Sequence, residues 1–237
     1  MTFVFLHGSG CTSNVWEHQV SFFNNSLALD FPGHPEGEAL RDVKSIAQWV
    51  LNTVEQEDLT NVVLVGHSLG SAVAMQAALL ALSNSTTFDA NRLKALVLIG
   101  AGAKLKVMPQ LLTSLATLIE EGGEFPDYLL ASNQQLQEPL RSQVNSAIVN
   151  NGAAVMLNDF TACDHFDAMQ EIGSINLPVQ LIVGDKDIMT PVKYSEYLLA
   201  QLPDAQLKIV EAGTHMVFAE QYDKVNACIQ RFVGGLT

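Results

Sequence analysis

Ser68 stands between two glycines in Gly66-His67-Ser68-Leu69-Gly70, a G-x-S-x-G spacing. A serine hydroxyl is a weak nucleophile at neutral pH and needs a base to take its proton. His215, in Gly213-Thr214-His215-Met216, is the candidate base. An imidazole in that role needs a carboxylate to fix its tautomer and stabilise the cation it becomes. Gly184-Asp185-Lys186-Asp187 offers two, Asp185 and Asp187. The three groups come in the order Ser, Asp, His, the order found where a nucleophile tops an open α/β sheet. The chemistry such a set performs is acyl transfer through a covalent intermediate.

That chemistry requires the side chains to meet, and the flanking sequence supplies elements to bring them together. Asn61–Val65 is an apolar, β-branched run that reads as a buried strand, and Ser71–Leu80 is rich in alanine and leucine and reads as a helix. Ser68 therefore falls on a strand-to-helix turn. A sharp turn there strains the central residue and presents its hydroxyl above the sheet. Glycines at −2 and +2 leave no Cβ to clash where the arms approach. The helix start offers unpaired N–H groups and a positive dipole end to developing negative charge.

Further strands are predicted at Phe3–Leu6, Ser26–Phe31, Ala95–Ile99, Pro178–Val183 and Gln206–Val210. Helices are predicted at Asn14–Phe23, Ser45–Glu57 and Val192–Leu202, with a last one carrying Val225, Ile229 and Phe232. Six strands alternating with helices predict a three-layer α/β/α domain on an open, mostly parallel sheet. Ligands of such sheets bind at the carboxyl ends of the strands. Those ends carry His7-Gly8-Ser9-Gly10, Ser68, the two aspartates and His215.

The alternation lapses between residues 104 and 176, more chain than a single crossover needs. Met108, Leu111, Leu112, Leu115, Leu118 and Ile119 form an apolar stripe at helical spacing, and more helix is expected around Leu136–Val149 and Ala153–Phe160. The expectation is a helical cap at 104–176, inserted after the fourth strand of a core domain made of 1–103 and 177–237. Such a cap would give Met108, Leu112 and Leu115 to an apolar substrate pocket, with His165 and Met216 as further contacts. The competing expectation is that the stripe is core. In that case Trp at 112 or 115 would lower the melting temperature rather than change substrate choice.

Composition narrows the function. The 237 residues suit one α/β domain, and 48% apolar residues suffice for a large core. A formal net charge of −13 disfavours phosphate backbones and anionic membrane surfaces. Cys11, Cys163 and Cys228 are odd in number and match no metal spacing, so free thiols in a reducing compartment are expected. No run approaches the roughly 20 apolar residues that span a membrane, and the N-terminal residues do not read as a signal peptide. These features predict a cytoplasmic protein without metal or cofactor. The oligomeric state is not fixed by them.

Leu6-His7-Gly8-Ser9-Gly10, Asp30-Phe31-Pro32-Gly33-His34, Gly66-His67-Ser68-Leu69-Gly70, Gly184-Asp185-Lys186-Asp187 with Thr190-Pro191, and Gly213-Thr214-His215-Met216 together resemble the α/β-hydrolase superfamily. The resemblance covers nearly the whole chain outside residues 104–176. It implies Ser68 as nucleophile, His215 as base and Asp187 as triad acid, with Asp185 the alternative. It also implies an oxyanion hole from the backbone N–H groups of Ser9 and Leu69. Two departures stand out. Ser71 occupies a position where many members have a second glycine, and the chain begins at what looks like the family's third strand, so a minimal all-parallel sheet is expected.

The leading expectation is a cofactor-free hydrolase of small to medium apolar carboxylic esters. Carbon–carbon cleavage or lyase chemistry, cofactor-free perhydrolysis, and a non-catalytic ligand-binding role are the alternatives on the same residues. Hydroxynitrile lyases of the superfamily place a lysine after the base, whereas Met216 follows His215 here.

Overall fold

A computed structural model describes residues 1–83 and 87–236. In chain order the elements are β1 (Thr2–Leu6), α1 (Glu17–Phe22), β2 (Ser26–Leu29), α2 (Val43–Gln56), β3 (Val62–His67), α3 (Leu69–Leu82), β4 (Leu93–Ile99), α4 (Pro109–Glu121), α5 (Leu140–His165), β5 (Val179–Gly184), α6 (Val192–Gln201), β6 (Ala205–Val210), α7 (Val217–Glu220) and α8 (Tyr222–Gly234). The six strands form one sheet in the order β2-β1-β3-β4-β5-β6, and every neighbouring pair is parallel.

The alternation of side chains along each strand sorts the core into two faces. Val4 and Leu6 of β1, Val62 and Leu64 of β3, and Leu96 and Leu98 of β4 pack with α2 and α3 on one face. Phe3 and Phe5, Val63 and Val65, and Ala95, Val97 and Ile99 pack on the other with Trp16, Phe218, Ile229 and Phe232. Both faces are covered, which is why the central strands read as continuous apolar runs. Asp42 caps α2 by accepting from Ser45 N at 2.7 Å.

α3 is buried at every residue from Leu69 to Met75, and two glycines make that approach possible. A Cβ on Gly66 would lie 2.1 Å from the carbonyl oxygen of Gly70, and one on Gly70 would lie 2.1 Å from that of Leu6 in β1. The first glycine thus closes the elbow, while the second seats the helix on the neighbouring strand. Gly70→Ala is expected to cost about 3 kcal/mol or more, roughly 6–12 °C in Tm, measured by thermal unfolding. Ser71, where a further glycine was an alternative, is accommodated: its hydroxyl donates to the Ser68 carbonyl at 2.6 Å.

Between β4 and β5 the chain builds α4, a 3₁₀ turn at Asp127–Asn133, and α5. The two helical stretches expected near 136–149 and 153–160 are joined into α5, with a non-helical Gly152 (φ 81°, ψ 172°) between them. The segment leaves and returns at one place, where Lys104 and Asp167 form an antiparallel bridge and an ion pair of 2.5 Å. Leu115, Leu136, Leu140, Val144 and Ile148 join the same apolar cluster as Trp16 and Phe218. Among the described residues no helix is long and apolar enough to cross a membrane.

Candidate active site

The carboxyl ends of β1, β3, β5 and β6 converge. Ser68 follows β3 and opens α3 with φ 53° and ψ −115°, in the positive-φ region that costs a non-glycine residue about 1–3 kcal/mol. Its N–H donates to the Ile99 carbonyl at 3.0 Å, which ties the strained residue to β4. Strain kept in place by the two glycines and this bond points to use of the hydroxyl.

After β5, the Asp187 side chain is held by four hydrogen bonds. Oδ1 accepts from the N–H groups of Met189 at 2.9 Å and Thr190 at 2.8 Å, and Oδ2 accepts from Thr190 Oγ1 and His215 Nδ1, both at 2.8 Å. Burial opposes the negative charge, but the His215 bond and charge and the Thr190 bonds outweigh it. The carboxyl is held below its ordinary range. Asp185 instead lies exposed at 3.3 Å from Lys186 Nζ. With His215 Nδ1 donating to the carboxylate, the neutral ring is held in the tautomer whose Nε2 can accept a proton.

The loop carrying His215 is held from both sides. His67 Nε2 donates to the His215 carbonyl at 3.0 Å, and Glu220 accepts from the Thr214 N–H at 2.9 Å and from its hydroxyl. The His67 ring lies tilted at 54° to that of His215, with centroids 4.6 Å apart. Burial, then the neighbouring His215, holds His67 neutral well below the usual histidine pKa. Neither His67 nor Thr190 is among the residues expected at the site from sequence. The Asp-x-x-Thr spacing, that of an Asx turn, was the signal available for Thr190.

Ser9 sits in the turn after β1. His7 shapes that turn: its Nδ1 donates to the Gly8 carbonyl at 2.9 Å and its Nε2 accepts from Phe31 N at 3.1 Å. Burial, reinforced by His34, pushes the His7 pKa down to about 3. The Ser9 hydroxyl lies 3.6 Å from Cys163 Sγ. Burial pushes both the Cys11 and Cys163 thiols up to about 12, so neither is a thiolate at neutral pH. Leu69 N–H is at the first turn of α3, where helical geometry leaves it without an intrahelical partner.

Ser9, Ser68 and His215 line one cavity of about 540 Å³. Met216 lines it too, and the segment between β4 and β5 adds Met108, Leu111, Leu129, Ile148, Met156 and Phe160. Three residues expected there lie elsewhere. Leu115 is fully buried in the core and Leu112 is not part of the cavity lining, to which this stretch of chain gives Met108, Gln110, Leu111 and Ser114. His165 ends α5 on an exposed turn. Among the described residues, no group of three or more His, Cys, Asp or Glu side chains is placed to hold a metal ion.

Known proteins share this architecture. The chain is 26% identical to a provisionally named carbamate hydrolase, RutD, of Acinetobacter baylyi, over 97% of this chain and 92% of that one. It is also 26% identical to a pimeloyl-acyl-carrier-protein methyl ester esterase of Pseudoalteromonas atlantica, over 84% and 81% respectively. The solved structure of a thermophilic esterase superposes with a TM-score of 0.82 at 26% identity, over 99% of this chain and 90% of that one. The sequence model of the alpha/beta hydrolase family matches residues 3–227, and the chain belongs to that family.

Proposed function

We propose that this hydrolase cleaves small to medium, uncharged carboxylic esters through an acyl-enzyme. The observation that carries the reading is the 2.8 Å bond from His215 Nδ1 to Asp187, which leaves Nε2 basic in a cavity that Ser68 also lines. Ser68 Oγ attacks the acyl carbon while His215 Nε2 takes its proton. The carbonyl π electrons move onto oxygen, and the N–H groups of Ser9 and Leu69 stabilise that oxyanion. One such donor is worth about 3–4 kcal/mol in the transition state. The imidazolium returns its proton to the alcohol as the C–O bond breaks. Water, deprotonated by the same nitrogen, then releases the acid and restores Ser68.

The cavity supports the substrate class. Residues 104–176 act as a cap in this reading, lining the cavity with apolar side chains such as Leu111, Met156 and Phe160 beside uncharged polar ones such as Gln110, Ser114 and Asn133. Among the described lining residues Lys186 alone carries a fixed charge. An apolar pocket binds by area, so each extra methylene adds at most about 1 kcal/mol until the space is full. The esterase named among the relatives lends the bond type, an ester.

The test is a panel of p-nitrophenyl esters from acetate to octanoate, together with a fluorophosphonate probe and mapping of the labelled peptide. Turnover with labelling at Ser68 is expected. A folded protein that neither turns over nor labels would sink the reading. Within the panel, Leu111→Trp is expected to lower kcat/KM for octanoate about tenfold relative to acetate, by filling the pocket. Leu115→Trp is expected to leave that ratio unchanged and to cost about 1–3 kcal/mol of stability through overpacking.

A further inference from the structure

Gly10, one residue past Ser9, is gripped by α5 on both of its backbone polar groups. Its N–H donates to Asp159 Oδ2 at 2.8 Å, and its carbonyl accepts from Asn151 Nδ2 at 2.9 Å. Asn151 Nδ2 also lies 3.3 Å from the Cys11 carbonyl. The two side chains come from opposite sides of the break at Gly152. Asp159 is completely buried, and the same Oδ2 accepts from His34 Nε2 at 2.9 Å. His34 Nδ1 lies 3.2 Å from the Phe31 carbonyl. His34 thus sets one ring nitrogen against a carbonyl and the other against a carboxyl oxygen, an arrangement that favours the protonated ring opposite a carboxylate. The neighbouring titratable ring, His7 at 4.8 Å, is neutral. Burial works against the charge on His34, but its bond to Asp159 and the charge there raise its pKa above the ordinary value.

A buried ion pair is weak evidence for stability, because desolvation offsets most of the attraction. Its placement here is more telling. The pair touches the oxyanion turn at one N–H, and that N–H belongs to the peptide plane after Ser9. We propose that Asp159 and Asn151 are positioning residues for ester hydrolysis: they hold Gly10 by both its N–H and its carbonyl and so fix the Ser9 N–H where the oxyanion forms. The inference rests on the reading of Ser68 as nucleophile and Ser9 as oxyanion donor. The turn needs such a hold. Gly10 sits at φ 69°, and the turn's own bond, Cys11 N to the Gly8 carbonyl, is 3.1 Å. A donor displaced by about 1 Å loses on the order of 100-fold in rate. The helix that lines the substrate cavity with Ile148, Met156 and Phe160 therefore also sets the catalytic geometry.

The experiment compares Asp159→Ala, Asp159→Asn and Asn151→Ala with wild type. It measures kcat and KM for p-nitrophenyl butyrate, Ki for an alkyl trifluoromethyl ketone, whose adduct on Ser68 carries the oxyanion, and Tm. Asp159→Ala is expected to lower kcat about 100-fold and raise the ketone Ki in parallel, with KM within about twofold. Asp159→Asn keeps an acceptor for Gly10 N–H and is expected to recover part of the loss. Asn151→Ala is expected to lower kcat about tenfold. Wild-type kcat and ketone Ki in folded Asp159→Ala, with only Tm reduced, would mean that the pair merely anchors the helical segment, and would overturn the proposal. If Asp159→Ala does not fold, wild-type kcat in both other variants overturns it. A wild-type protein inert to ester and ketone alike would instead defeat the esterase reading, and the positioning role with it.

Discussion

Ser68→Ala is expected to abolish ester turnover, with kcat falling on the order of 10⁶-fold, while the protein keeps its fold. On the proposed mechanism the variant lacks the oxygen that forms the acyl bond. Cys11 lines the same cavity, but burial holds its thiol at about 12 and it offers no thiolate at neutral pH. The backbone strain at residue 68 is imposed by Gly66, Gly70 and the bond to the Ile99 carbonyl, none of which the substitution touches. Tm should therefore stay within a few degrees of wild type. The fluorophosphonate label should disappear from the peptide in the same variant. More than a few per cent of wild-type kcat in purified Ser68→Ala would end its assignment as nucleophile.

The sheet was legible because its physics is simple. A parallel sheet covered on both faces demands runs such as Val62–Val65 and Ala95–Ile99, and few other structures do. The elbow was legible because glycines are required at 66 and 70 by contacts of 2.1 Å. The helical segment at 104–176 was visible as a break in alternation, and its stripe as a helix. Which edge of the stripe would face the cavity was not visible. Leu111 and Leu115 are one turn apart, yet one lines the cavity and the other sits in the core. The bond between His34 and Asp159 crosses 125 residues of sequence, and neither residue lies in a pattern that pairs them. Burial that depends on tertiary placement leaves no local period to read.

Asp187→Asn is expected to lower kcat on the order of 10⁴-fold, and the reason lies in how the carboxylate is held. Oδ1 accepts two backbone N–H groups, from Met189 and Thr190, so an asparagine must keep its carbonyl oxygen there. Its NH₂ then occupies the Oδ2 position, 2.8 Å from His215 Nδ1, and donates where the carboxylate accepted. The imidazole must turn Nδ1 into the acceptor and carry its proton on Nε2, where it can no longer take one from Ser68. KM should change little, because Asp187 does not line the cavity. Asp185→Asn is the control: Asp185 is exposed beside Lys186, and such a surface pair is worth about 0–1 kcal/mol. A larger kcat loss in Asp185→Asn than in Asp187→Asn would exchange their roles. Stability supplies a second, independent reading. The Asp187 carboxyl titrates below its ordinary value when folded, so its contribution is present above a pH of about 4 and fades as pH falls through the folded value. Asp187→Asn should therefore lower Tm most at neutral pH. The gap to wild type should narrow as the pH drops below about 4, and a gap independent of pH would show that the carboxylate's charge is not what the native site holds.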